Sequence, residues 1–248
     1  MAQGTCYVGT SGWSYPHWAK GRFYPKGMKQ GDWLRFYAEH FSTVEVNMTF
    51  YRLPTVKLVE RWRDIAPDSF LFTIKLWRRI THEKRLADCG DEVRRVIEAV
   101  SALSTKRGPL LVQLPPSMRC DPILLDRFLA VLHQTAADVS WRIAVEFRNT
   151  GWLCRAVHDV LDRHGAALCL ADMPRCPVTE PNAAPFVYVR RHGPGGRYRG
   201  RYAEEHVAAD AARVRQWLNQ GRDVYVYFNN DIEGHAVDNA RQLIDAVG

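Results

Sequence analysis

None of the six cysteines, Cys6, Cys89, Cys120, Cys154, Cys169 and Cys176, lies two residues from another. That removes the zinc ribbons and dithiol redox motifs that depend on such a spacing. Dispersed thiols are expected to be reduced and buried, as in the cytoplasm. No stretch approaches the roughly 20 apolar residues of a membrane span. The chain enters a strand-like run by Tyr7 without a basic flank and a long apolar core, so an untargeted cytoplasmic protein with no membrane partner is expected. The segment Thr10–Ser14, TSGWS, lacks the Gly-x-Ser-x-Gly spacing of a serine elbow. The dinucleotide glycine fingerprint and the phosphate-binding P-loop are missing too, which leaves NAD and ATP chemistry without support. There is also no helix-turn-helix, zinc finger or two-histidine helical zinc motif.

What the 248 residues do contain is an ordinary globular balance, 46% hydrophobic and 25% charged, enough for one large α/β domain or two small ones. The formal net charge of +7 and a pI near 9.2 favour anionic partners without choosing among them. Eight β-rich runs can be read: 7–11, 43–47, 71–75, 110–113, 143–146, 167–171, 186–190 and 224–228. Helical stripes lie between most of them: Leu58, Trp62, Ile65; then Val93, Ile97, Val100; then Leu125, Phe128, Leu129, Leu132; then Val207, Ala211, Val214, Leu218. A last stripe is Val237, Ala240, Leu243, Ile244 and Val247. Strand and helix alternating about eight times over this length predict a TIM-like (β/α)₈ barrel spanning residues 1–248 as a single α/β domain. Between Asp172 and Phe186 stand Pro174, Pro177, Pro181 and Pro185. They exclude a normal helix after strand six and predict an irregular barrel with an extended connection there.

Strand alternation sorts the charged residues. In Thr43–Asn47, Val44 and Val46 share one face, and Thr43, Glu45 and Asn47 share the other. Likewise Val145 and Phe147 oppose Glu146 and Arg148, and Val187 and Val189 oppose Tyr188, Arg190 and His192. In a barrel the second set points inward, and active sites gather at the C-terminal strand ends. Glu45 and Glu146 are bracketed by apolar residues within their strands, where an unpaired charge costs several kcal/mol or so. Lys75, Arg148 and Arg190 are their expected partners.

Taken in order, Gly9–Tyr15 (GTSGWSY), Phe36–Pro54 (FYAEHFSTVEVNMTFYRLP), Leu110–Ser117 (LLVQLPPS), Val145–Trp152 (VEFRNTGW), Tyr188–Gly193 (YVRRHG) and Tyr227–Asp231 (YFNND) resemble the YecE-like family, a family of unknown function. The resemblance spans nearly the whole chain and implies a TIM-like barrel with an irregular outer layer. Carried over by motif, it points to Ser11, Gly12, Trp13, Glu45, Asn47, Thr49, Tyr51, Arg52, Glu146, Arg148, Trp152, Arg190, His192, Gly193, Asn229, Asn230 and Asp231. It implies no reaction.

The carboxylates Glu45, Glu146, Asp172 and Asp231 come from four strand ends. They can divide acid and base roles, hold a hard ion such as Mg²⁺ or Mn²⁺, or simply neutralise interior cations, and these readings stay open. Lys75, Arg148 and Arg190 at strand ends, with Arg191, Arg197, Arg199 and Arg201 beyond, suit an anion. The glycines Gly193, Gly195 and Gly196 can let backbone N–H groups approach a phosphate or merely form a flexible loop. Asn229 continues the inward face of Tyr225 and Tyr227, while Asn230 and Asp231 lead toward a helix near His235 and can cap or turn it. Trp13, Tyr15, Trp18, Phe50, Tyr51, Trp77 and Trp152 form an expected aromatic rim, able to stack bases or sugars or to cover loops. Cys169, three residues before Asp172, is expected on the opposite face, in core packing.

The candidate catalytic set is therefore Glu45, Lys75 and Glu146. The candidate binding set is Ser11, Trp13, Asn47, Tyr51, Arg52, Arg148, Asp172, Arg190, His192, Asn229, Asn230 and Asp231. A phosphoester hydrolase or lyase acting on a phosphorylated small molecule or nucleic acid and a non-catalytic binder of the same ligands are both compatible with them. Oligomeric state is left open.

Overall fold

Eight parallel strands alternate with helices in a computed structural model that describes residues 3–136 and 141–248. The strands are β1 (Cys6–Thr10), β2 (Thr43–Val46), β3 (Leu71–Lys75), β4 (Arg107–Gln113), β5 (Ile143–Glu146), β6 (Ala167–Ala171), β7 (Phe186–Arg191) and β8 (Asp223–Phe228). Each pairs with its sequence neighbour from β2 to β8, and β8 pairs with β1. The helices are α1 (Trp33–Ala38), α2 (Met48–Tyr51), α3 (Val56–Ile65), α4 (Gly90–Ser101), α5 (Pro122–Thr135), α6 (Arg155–Arg163), α7 (Glu204–Asn219) and α8 (His235–Val247). Local chemistry sets their starts: Thr55 Oγ1 accepts from Leu58 N at 3.3 Å, and Asp121 Oδ1 accepts from Leu124 N at 2.9 Å with Pro122 at the first helical position.

The predicted stripes face the barrel, with one exception. On α8 Val237, Ala240 and Leu243 are buried, but Ile244 is exposed, because it lies one residue beyond Leu243 and so about 100° further round the helix. No helix joins β6 to β7. The proline-rich connection is pinned by hydrogen bonds instead: Val178 N donates to Ala171 O, Leu168 N donates to Asn182 Oδ1 at 2.8 Å, and Asn182 Nδ2 donates to Ala166 O at 3.0 Å. One asparagine thus serves backbone groups that a covering element would otherwise have to satisfy.

Alternation separates two apolar layers. Val44, Val46, Ile74, Val145, Val187 and Val226 pack outward against the helices. Leu111, Ala144, Ala167, Cys169, Ala171, Phe186, Tyr188, Tyr225 and Tyr227 fill the interior. Cys169 is therefore core, as expected, but on the inward face. Asp172 lies past the end of β6, so counting back from it misphases the strand. Small side chains on β5 and β6 make room for large ones across the barrel. Tyr227 uses that room to place its hydroxyl 2.8 Å from Thr43 Oγ1 and 2.6 Å from Thr73 Oγ1.

Closure between β1 and β2 differs from the other seams, since no strand ladder joins them. The Tyr37 hydroxyl stands in: Thr10 N donates to it at 2.9 Å, and it donates to Thr43 O at 3.1 Å. The strands approach so closely that a Cβ at Gly9 would lie 2.1 Å from Thr43 O.

Candidate functional site

Above the tyrosine layer, the inward ends of β2, β5 and β7 meet in a charged layer. Arg190 is fully buried between Glu45 and Glu146. Its Nε donates to Glu45 Oε2 at 2.9 Å, Nη2 to Glu45 Oε1 at 2.7 Å and Nη1 to Glu146 Oε2 at 2.6 Å. Tyr188 donates its hydroxyl to Glu45 Oε2 at 2.6 Å, and Arg148 pairs with Glu146 from the other side. Burial by itself would raise both carboxyls, but the Arg190 charge and its hydrogen bonds outweigh that for Glu45, and Arg190 and Arg148 do so for Glu146. Both are lowered from the usual carboxylate value, Glu146 far below it, and stay ionised.

His192, also fully buried, locks the arginines from behind. Asp172 Oδ1 accepts from His192 N at 2.8 Å and lies 3.1 Å from Nδ1. With the Nδ1 proton given to Asp172, Nε2 is free to accept from Arg190 Nη1 at 3.0 Å and Arg148 Nη2 at 3.1 Å. Burial holds this imidazole neutral, against the opposing pull of Asp172. Tyr202 donates to the other Asp172 oxygen.

Lys75 is arranged differently from the arginines. Among the described residues no carboxylate lies within 4.0 Å of its ammonium, which instead sits 4.3 Å from the centre of the Phe50 ring. Burial first, then the Arg190 charge, lower its pKa to about 8, against the opposing effect of Glu45 and Glu146. His82, edge-on to Phe50, is brought down to about 4 by burial and then by Lys75, Arg78, Arg148 and Arg85. The sign of these charge effects marks this corner as electropositive.

A cavity of about 840 Å³ opens over this layer at the C-terminal strand ends. Of the expected site residues, Trp13, Asn47, Tyr51, Arg52, Lys75, Arg148, Arg190, Asn229 and Asp231 line it. Six others stand behind its wall. Glu45 and Glu146 are covered by their arginines, and His192 and Asp172 sit behind Arg148. Ser11 contributes its carbonyl, which accepts from Asn47 Nδ2 at 3.1 Å, rather than its side chain. Asn230 donates to Gly200 O at 2.8 Å and to Asn239 Oδ1 at 3.1 Å, so it ties the last loop to α8.

Several expectations are revised by this arrangement. The four acids do not converge: among the described residues no three His, Cys, Asp or Glu side chains form a group able to hold a metal ion. The glycines of the Gly-rich loop do not line the cavity, although Tyr198 of the same loop does. Its Gly193 N–H is taken by the Tyr202 hydroxyl and its Gly196 N–H by Gly193 O, and a Cβ on Gly193, at φ 90°, would lie 2.3 Å from Arg199 O. Gly193 and Gly196 answer to tight packing. Arg197, Arg199 and Arg201 are exposed outside the cavity. Trp18 and Trp152 are fully buried core residues, Trp152 stacked on Phe147 with centroids 5.0 Å apart, and Trp77 lies between Arg79 and Arg95.

Nine lining residues were absent from the expected sets, among them Tyr15, Trp62, Gln113 and Tyr198. Gln113 was within reach, since it alternates with inward Leu111 at the end of β4. Trp62 reads as part of the α3 stripe, and it meets Trp13 edge-on at 5.7 Å. Tyr198 comes from a loop with φ 61° and accepts from Arg148 Nη1 at 3.1 Å; no periodic signal announces it.

The geometry defines a class: a parallel β/α barrel with a cation-rich cavity at the C-terminal mouth. Residues 7–248 match the model of the family described as "Protein of unknown function DUF72", and the chain belongs to that family. It is similar to the UPF0759 protein YunF of Bacillus subtilis, 24% identical over 270 residues, covering 96% of this chain and 93% of that one. It is also similar to the UPF0759 protein YecE of Escherichia coli, 36% identical over 109 residues, which is 44% of this chain and 37% of YecE. The match to YecE thus spans little more than a third of that protein's length. A crystal structure of a DUF72 family protein from Thermotoga maritima superposes with a TM-score of 0.85 at 27% identity, covering 97% of this chain and 98% of the other. Among the described residues no helix is long and apolar enough to cross a membrane.

Proposed function

We propose that the chain is an enzyme, a hydrolase or lyase, acting on a small phosphorylated substrate held in the mouth cavity. One observation carries this reading: Arg52, Lys75, Arg148 and Arg190 line the cavity, against Asp231 as the one carboxylate lining it among the described residues. Its volume lies in the range of about 300–1,000 Å³ typical of small-molecule sites. Arginines suit the phosphate by their forked donors. Proton transfer falls to the two titrating groups on the cavity wall. Lys75, with its pKa near 8, is a free amine in about one molecule in ten at pH 7. The Asp231 carboxyl is raised from its ordinary value, by burial above all, against the opposing effect of a backbone hydrogen bond and His17. Glu45 and Glu146, spent on Arg190, act as positioning residues that fix the anion site and set the charge around Lys75.

The test is a thermal shift with inorganic phosphate and small phosphate esters. Ligand at 100 times its Kd stabilises by about 2.7 kcal/mol, or roughly 5–11 °C for a chain of this size. The shift should vanish in Arg148→Ala, and Lys75→Met should lose turnover while keeping it. Equal shifts in wild type and Arg148→Ala would sink the assignment.

The second reading, a non-catalytic binder of nucleic acid, draws on the exposed Tyr51 beside Arg52 at the rim and on Arg197, Arg199 and Arg201 beyond it. Affinity for single-stranded DNA that falls with salt by a logarithmic slope of about 0.7 per neutralised phosphate would favour it.

A further inference from the structure

Lys75 has the surroundings of a nucleophile as well as of a proton carrier. A lysine that serves only to hold an anion is best kept fully charged, with its ammonium aimed by hydrogen bonds or a carboxylate. Lys75 has neither: among the described residues its Nζ makes no hydrogen bond and no ion pair, and it rests on the face of Phe50 at the cavity floor. The cations Arg190 and Arg148 stand beside it and discourage a further positive charge, with Glu45 and Glu146 opposing and neutral His82 behind Phe50. Asp231 lies on the wall of the same cavity.

We propose that Lys75 attacks the carbonyl carbon of an anionic aldehyde or ketone and forms an imine, with the anionic group of that ligand on Arg148 and Arg52. This assignment rests on the anion-accepting reading above and narrows the substrate class to phosphorylated or carboxylated carbonyl compounds. The Nζ lone pair forms the C–N bond as the carbonyl π pair moves to oxygen and takes up a proton. The proton that oxygen takes up is one of the two on nitrogen; the Asp231 carboxylate accepts the other and passes it to the carbinolamine hydroxyl, which leaves as water while the nitrogen lone pair forms C=N, so the products are imine and one water. An imine at this position is an electron sink for cleavage or proton removal next to the former carbonyl, which is lyase chemistry.

The experiment is reductive trapping on the intact chain. Wild type is incubated at pH 7 with glyoxylate, an anionic aldehyde, or with neutral glycolaldehyde, each with sodium cyanoborohydride, and the lysine adducts are located by peptide mass spectrometry. The gap between an ordinary lysine pKa of about 10.4 and one near 8 makes the free amine over 100-fold more abundant. Carboxymethylation of Lys75 at least about tenfold above the average of the other lysines is therefore expected, with half-maximal rate near pH 8. Glyoxylate should exceed glycolaldehyde, and inorganic phosphate should compete. Uniform labelling of all lysines overturns the imine, and if phosphate still raises the Tm, the anion site survives that failure. Preferential labelling of Lys75 by both aldehydes without competition by phosphate upholds the imine and removes the anion reading instead. The wild-type peptide map decides the matter without a variant. Lys75→Arg, which keeps the charge, should retain the phosphate-induced shift and lose the adduct.

Discussion

Replacing Arg190 with Met tests whether the interior charges are a single balanced unit. The side chain is fully buried, and its loss strips Glu45 of two hydrogen bonds and Glu146 of one. Glu45 would keep the Tyr188 hydroxyl, and Glu146 would keep Arg148. Removing one partner from a buried pair costs about 3–5 kcal/mol. For a chain of this size that corresponds to a fall in Tm of roughly 6–20 °C at pH 7. The pH profile is the sharper readout. In the wild type both carboxyls titrate below their unfolded value near 4.5, so their contribution is complete above that pH and is lost as pH falls through the folded pKa values. Without Arg190, burial would push the Glu45 carboxyl above that value, and stability should then decline as pH rises from about 4.5 toward neutrality. Urea unfolding followed by tryptophan fluorescence from pH 4 to pH 8 would measure both slopes. Glu45→Gln and Glu146→Gln added to Arg190→Met should restore much of the loss, since neutral groups need no counter-charge. A variant with the wild-type pH slope, or a Tm lowered by less than about 4 °C, would refute the single-unit account.

Lys75→Met should flatten a rise in wild-type stability between about pH 8 and pH 10.5, where the unfolded chain binds a proton that folded Lys75 does not; a depressed folded pKa of this size amounts to about 3 kcal/mol, read as the difference between the two urea profiles. Asn182→Ala should destabilise by about 1–3 kcal/mol through the unpaired amide of Leu168 and carbonyl of Ala166, measured by the shift in urea midpoint. Gly9→Ala should abolish soluble folded protein or lower the Tm severely, because its methyl has nowhere to go between β1 and the Thr43 carbonyl; an unperturbed Tm would contradict the close approach of the two strands.

Alternation alone placed Glu45, Glu146 and Arg190 on one inward face, and the spacing of apolar runs marked all eight strands. Prolines excluded the helix after β6 for a local reason, and the chain obeys it. Height along the barrel axis was not legible, because a period of two assigns a face and not a depth. Glu45, Glu146 and Lys75 share a face, yet the first two lie beneath the cavity wall while Lys75 reaches the cavity floor. The register between β3 and β4 also shifts between Phe72 and Ile74, an irregularity without an obvious sequence mark. Loop residues escaped for a different reason. Tyr198 owes its place to a left-handed backbone position and to Arg148, and neither follows from periodicity. Gly193 and Gly196 carry the composition of a phosphate cradle, but their N–H groups are already committed.

Seven of the eight strand seams are sewn by ladders, and the eighth hangs on the hydroxyl of Tyr37. The ring of hydrogen bonds is therefore an open clasp, and its gap falls between the loops carrying Trp13 and Tyr15 on one side and Asn47 and Arg52 on the other. Across that gap the Asn47 amide reaches the Ser11 carbonyl as a second fastener. Local opening follows the weakest bonding, so the amide of Thr10 should exchange with solvent deuterium ahead of those in the β7–β8 ladder. Early exchange at Thr10 would mark the line between β1 and β2, beside the strand that carries Glu45, as the place where the barrel mouth opens first.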